Sequence, residues 1–218
     1  MGETAINFTP QEKAHIEIMQ AVVKDFSDLP IVLKGGTALL LCYGLDRFSE
    51  DLDFDANKKL NLSSRIQKVL SRKTQDHTIN IAKNTDTVQR LKIHYIHEKV
   101  SRLLKVEVSF RDTIQDNEIV EIKGIKTYKV SRLIEQKINA LLNRTKARDL
   151  YDVNFLIKNF SSHFSNKAIE QLNIAVANMN HLEARFKPAF ADDDLVDEDE
   201  LVNILLSIEK SLENLNHI

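Results

Sequence analysis

The chain has one cysteine, Cys42. An intramolecular disulfide is therefore impossible and a cysteine-built zinc cluster is excluded, which fits a reducing cytoplasm. No apolar run approaches the length of about eighteen residues that a membrane span needs, so none is expected. The opening segment, residues 1–13, has no basic start followed by an apolar stretch and does not read as a secretory signal. Neither sign of charge dominates: 30 Lys and Arg face 32 Asp and Glu, for a formal net charge of -2. That excludes a uniformly basic nucleic-acid coat and leaves room for a local basic patch. Glycine is scarce, with five in the chain, and Gly35, Gly36 and Gly44 fall close together. A chain that gathers its few glycines in one segment needs unusual backbone geometry there.

The rest of the composition is that of a globular protein. Of 218 residues, 43% are hydrophobic and 28% charged. The length suits one compact domain, alone or with a small helical one. Residues 9–27 read as a helix: Thr9 caps, Pro10 suits the first turn and Glu12 completes a capping box. Ile31–Lys34 is a short β-prone run stopped by Gly35-Gly36. Residues 37–43 form an apolar helical segment closed by Gly44, and 51–54 form a second strand. Residues 59–73 suit a helix. Strands are expected around 77–83, 89–97 and 103–110, with two shorter ones flanking Gly124. From Ser131, expected to cap the next helix, strand-like alternation ends. Helical patterns follow through 150–157, 164–186 and 198–215. The expected fold is α/β (α+β), a mixed β-sheet flanked by helices over 1–129 followed by a helical bundle over 130–218.

Chemistry concentrates in two short segments. Lys34-Gly35-Gly36-Thr37 lies at a strand-to-helix junction. Paired glycines let the backbone bend and approach a ligand, the helix start offers unpaired N–H groups, and Thr37 adds a hydroxyl; this suits a phosphate. The same glycines equally serve a purely steric turn. In Asp51-Leu52-Asp53 the carboxylates sit two apart on a strand and share a face, with Leu52 turned to the core. Two like charges so close repel, and a divalent cation removes that penalty. The alternative is a pair of surface acids.

The order is more telling than either part. Lys34-Gly35-Gly36-Thr37-Ala38-Leu39, then Tyr43-Gly44-Leu45, then Arg47-Phe48-Ser49-Glu50-Asp51-Leu52-Asp53-Phe54 resembles the AbiEii/AbiGii toxin family of nucleotidyltransferases. That family lies within the superfamily related to DNA polymerase β and is known from phage resistance and type IV toxin–antitoxin systems. Lys137-Ile138-Asn139-Ala140 and the segment from Arg144 to Asp152 are similar to the family's later motifs. The resemblance implies a nucleotidyltransferase that moves a nucleoside monophosphate from an NTP to an acceptor hydroxyl, with Mg²⁺ or Mn²⁺ as cofactor. It implies Asp51 and Asp53 as metal ligands, and Lys137 and Asp149 as active-site members. Lys34, Gly35, Gly36, Thr37, Ser49, Lys146 and Arg148 are the nucleotide-binding candidates. A third carboxylate is usual in the superfamily, and Glu107 is the residue placed to supply it, as metal ligand or general base; an ordinary polar residue on an amphipathic strand is the other reading. The cluster Arg148, Asp149 and Asp152 reads equally as a structural ion-pair group joining two helices. The implied partners are an NTP, an RNA acceptor such as a tRNA 3′ end, and a cognate antitoxin, without a membrane. A small molecule or a protein hydroxyl as acceptor, and a non-catalytic nucleotide-binding module, stay open beside it.

Other features carry less. His94 and His97 sit at odd spacing on one strand and face opposite sides, so a shared zinc site is not expected. Cys42 reads as a small buried residue. The acidic run over 192–200 reads as a solvated loop and helix start.

Overall fold

The computed structural model describes residues 8–197 and 199–215. Residues 1–7, the start of the segment read for a secretory signal, and Glu198 of the acidic run lie outside them. The chain divides into two compact units, Met1–Tyr128 and Lys129–Ile218. No helix among the described residues is long and apolar enough to cross a membrane.

The first unit opens with α1 (Pro10–Asp25), where Thr9 and Glu12 form the capping box. Strand β1 (Ile31–Lys34) runs directly into α2 (Gly35–Tyr43), which ends on Gly44 in the left-handed conformation. Then come β2 (Leu52–Ala56), α3 (Ser63–Lys73), β3 (Asp76–Asn84), β4 (Val88–His97), β5 (Val100–Ser109), β6 (Ile119–Ile122) and β7 (Ile125–Tyr128). The strands form one mixed sheet in the order β3-β4-β5-β2-β1-β7-β6. β2 pairs antiparallel with β1 and parallel with β5. Two tight hairpins, at Glu98-Lys99 and Lys123-Gly124, have positive φ at both turn residues, the backbone that matches the strands' twist.

One face of this sheet is the core. Leu91, Ile93 and Tyr95 of β4 alternate inward beside Leu104, Val106 and Val108 of β5, and all are buried. Helix α1 lies on this face: Phe26 meets the Phe54 ring at 5.7 Å and His15 stacks on Tyr95 at 5.9 Å. The residues between them turn to the other face. There the register sets Asp53 beside Glu107 and Lys92 beside Lys105. The edge strand β3 is mostly exposed, and its register with β4 slips between Ile81 and Lys83.

The second unit is entirely helical among the described residues: α4 (Val130–Asn143), α5 (Ala147–Phe160), α6 (Asn166–Ala175), α7 (Met179–Ala191) and α8 (Glu200–Leu215). α4 packs on α5 and α6, and α8 on α5 and α7. Three local expectations are corrected. The helix expected from residue 59 starts only at Ser63; in the segment before it Lys59 pairs with Asp86 and Asn57 accepts the Ile114 N–H. The single helix expected over 164–186 is two, because Asn178 caps α7 through the His181 N–H at 2.9 Å. Ser131 does not cap α4; the cap position is Lys129, which offers no side-chain bond.

Leu52 is fully buried between the two acids of its motif. Leu52→Ala should cost about 3 kcal/mol of unfolding free energy, read from chemical denaturation; a loss below about 1 kcal/mol would mean that the strand is not anchored there.

Candidate active site

The turn from β1 into α2 requires both of its glycines, for different reasons. Gly35 has φ of 75°, which a side chain adopts only with strain. A Cβ at Gly35 would stand 3.5 Å from Asp53 Oδ2, so this backbone lies against that carboxylate. Gly36 is needed for space. A Cβ there would fall 2.9 Å from Nη2 of Arg47 and 3.1 Å from Oγ of Ser49. The first amides of α2 have no partner within the helix and carry its positive dipole end.

Thr37 and Ser49, two of the nucleotide-binding candidates, bond within the turn, where capping the loop is the other reading of Ser49. Thr37 is buried, and its hydroxyl donates to the carbonyl of Asp51. Its proton is thereby committed, so the Ser49 hydroxyl, 2.8 Å away, donates to Thr37. From the other side His15 Nε2 lies 2.8 Å from the Glu50 carbonyl and Nδ1 lies 2.5 Å from the Tyr95 hydroxyl. The carbonyl can only accept, so Nε2 carries the proton and Nδ1 accepts from Tyr95. Loss of hydration on burial is the main reason that the His15 pKa is lowered, which keeps this tautomer neutral. The backbone at Glu50-Asp51 is thus held from α1 and from α2.

The acids share one sheet face. Asp51 immediately precedes β2, and Asp53 and Asp55 follow on it at strand spacing. Glu107 is the register partner of Asp53. Three of these four carboxylates have a cation of their own. Lys105 pairs with Asp51, and Arg90 with Glu107 at 2.6 Å. Lys34 pairs with Asp55 at 2.5 Å, and the Tyr128 hydroxyl donates to the other Asp55 oxygen at 2.9 Å. Lys34, expected to bind nucleotide, therefore has its ammonium on an acid of its own sheet. The Asp53 carboxylate, only partly exposed, has no hydrogen bond or ion pair among the described residues. Its pKa is raised, first by lost hydration and then by Asp51 and Glu107, against the opposing charges of Lys105 and Lys34.

The donor set fits a hard divalent cation. Asp51 and Asp53 offer carboxylate oxygens, and Mg²⁺ is commonly held by one or two carboxylates together with substrate phosphates. No group of three or more His, Cys, Asp or Glu is spaced to hold a metal by itself among the described residues.

The second motif forms a cluster within the helical unit. Lys137 is nearly buried, 2.6 Å from Asp152 Oδ2 and 3.3 Å from Asp149 Oδ1. Arg144 grips Asp149 with Nε at 2.6 Å and Nη2 at 3.0 Å. Burial works to raise the Asp149 pKa, but the Arg144 bonds and the charges of Lys137 and Arg144 outweigh it and hold it below the usual carboxylate range. Arg148 pairs with Asp193 at 3.0 Å, so part of the acidic run is tied into the bundle. Lys146 is exposed at the start of α5.

The remaining candidates have simple places. His97 Nδ1 lies 2.8 Å from the Lys73 carbonyl and must donate to it. Cys42 is buried and its thiol is pushed up to about 11 by burial. Asp55, Lys105, Arg90 and His15 were not among the sequence candidates. Asp55 continues the alternation from Asp53, and Lys105 stands two residues before Glu107; that spacing was their signal. Nothing in the sequence pairs His15 with Glu50.

The family model for the nucleotidyl transferase AbiEii toxin, of type IV toxin–antitoxin systems, matches residues 17–210. A Helicobacter pylori protein assigned to the nucleotidyltransferases has a solved structure that is 34% identical, with a TM-score of 0.85, covering 96% of this chain and 98% of that one. The structure of JHP933 from Helicobacter pylori is also 34% identical, with a TM-score of 0.85, covering 97% of this chain and 96% of that one. No curated protein matches.

A carboxyl whose pKa is raised on folding opposes folding when ionised. The penalty is absent below the unfolded value of about 3.9 and grows as pH rises through the folded value. Asp53→Asn should therefore raise the Tm at neutral pH, and the gain should shrink as pH falls toward about 4. Thermal melts across that window would expose a gain of opposite sign or one independent of pH.

Proposed function

The chain belongs to the AbiEii nucleotidyl transferase toxin family, and on that premise we propose that it transfers a nucleoside monophosphate to an RNA hydroxyl in a reaction dependent on Mg²⁺ or Mn²⁺. The observation that carries this reading is Asp53: a carboxylate without an ion-pair partner, raised in pKa, lying against Gly35 at the start of α2. Asp51 and Asp53 are the metal ligands in this reading, with Glu107 at the adjacent register position as third carboxylate or general base. The bound cation supplies charge neutralisation of the triphosphate and a lowered pKa for the attacking hydroxyl. The free amides of Gly35 and Gly36 take phosphate oxygens at the dipole's positive end. Thr37 and Ser49 keep that turn in place, and the Thr37 bond to the Asp51 carbonyl fixes the backbone from which Asp51 projects. The acceptor oxygen bonds to the α-phosphorus, the α–β bridging bond breaks, pyrophosphate leaves and the hydroxyl proton passes to a base.

Within the helical unit, Lys137 and Asp149 are the residues we propose as nucleotide-binding, with Arg144 and Asp152 holding them in place. An RNA acceptor is supported by the exposed Lys92 and the half-exposed Arg90, cations on the same sheet face as the acids. Membership of a type IV toxin family supports a cognate antitoxin as partner.

Incubation with each labelled NTP, Mg²⁺ and total RNA tests the reading. Asp51→Ala and Asp53→Ala should each lower label transfer by about 100-fold or more, while circular dichroism stays that of the folded chain. With RNA as acceptor, transfer should fall about tenfold between roughly 50 and 200 mM salt. Transfer that survives both substitutions would remove these acids from the chemistry.

A further inference from the structure

The three cations that balance the acidic face are not equivalent. The Lys34–Asp55 pair is built into the sheet: the Asp55 side chain is 1% exposed and also receives the Tyr128 hydroxyl. The Lys105–Asp51 pair is open, with side-chain exposures of 32% and 28%. Lys105 also stands directly across the strand pair from Lys92. Like charges in that position repel, so the lysine is placed against a neighbour that destabilises it. The Asp51 carboxylate is the group that Lys105 contacts, and with the charge of nearby Asp53 it offsets this repulsion. Its Oδ2, which Lys105 holds, is among the oxygens that a divalent ion would use.

We propose that Lys105 is a tethered counter-cation of the metal site, which competes with the divalent ion for Asp51 and must release this carboxylate when the ion binds. The proposal rests on the reading of Asp51 and Asp53 as a metal pair. An ammonium on the same lone pairs lowers the apparent affinity for the metal by the strength of the ion pair it gives up. For a half-exposed pair this amounts to about fivefold. Removing Lys105 should therefore tighten metal binding even though it removes a residue from the site. Lys92, on the same face and one strand further from Asp51, reports the general effect of deleting a nearby positive charge.

The test is titration of the full chain with Mn²⁺ alone, with the free ion followed by electron paramagnetic resonance and folding checked by circular dichroism. Lys105→Met should bind Mn²⁺ about fivefold more tightly than wild type, and Lys92→Met should stay within about twofold of it. In an Asp51→Asn background Lys105→Met should bring no gain. Unchanged or weaker binding by Lys105→Met overturns the proposal, as does an equal gain in Lys92→Met or a gain that persists without Asp51. Wild-type binding that is unaltered in Lys105→Met refutes the lysine's role alone. Absence of Mn²⁺ binding in wild type and in Lys105→Met removes the metal-pair reading, and this proposal with it.

Discussion

Four carboxylates crowd one face of two neighbouring strands, and their mutual repulsion is the constraint around which the first unit is arranged. Asp51, Asp53 and Asp55 follow one another at strand spacing, and Glu107 stands beside Asp53. Packed acids of this kind fold only if their charge is balanced or their protons are kept. Lysine and arginine from adjacent strands balance three of the acids, while lost hydration and the charges of Asp51 and Glu107 raise the pKa of Asp53. The uncompensated cost falls on a single residue, which lies against a helix start that is itself partly positive.

The glycine turn and the loop after α2 follow from the same requirement. A side chain at Gly35 would be strained by the positive φ of that position, and one at Gly36 would displace the buried Arg47 guanidinium. The loop carrying Glu50 and Asp51 has no strand partner to fix it. It is fixed by two polar contacts to its carbonyls, one from Thr37 and one from His15. The backbone from which Asp51 projects is thus positioned by hydrogen bonds to its carbonyls, while its carboxylate is paired with Lys105.

Much of this was legible in the sequence. The alternation in Asp51-Leu52-Asp53 correctly sent Leu52 to the core, and the mixed sheet followed by helices is the observed architecture. The neighbourhood of Glu107 and Asp53 was also anticipated, although it depends on a parallel pairing between strands far apart in the chain. What the sequence could not supply was the choice of ionic partners. Lys34 looks like a phosphate ligand because it adjoins Gly35, yet the antiparallel pairing of β1 with β2 brings its ammonium to Asp55. Thr37 and Ser49 look like phosphate donors, yet a buried hydroxyl must satisfy itself, and each finds the other. Charge pairs and hydroxyl bonds are settled by register and burial, and neither is written in local spacing.

The outermost strand, β3, has a wider consequence. An unpaired border of a sheet invites a foreign strand to extend it. Here the irregular step between Ile81 and Lys83 interrupts the regular ladder, and Lys83 adds charge close to the break. Both features discourage accretion of another chain along that margin. The acidic plane can therefore stay uncovered at its far end without becoming a template for aggregation.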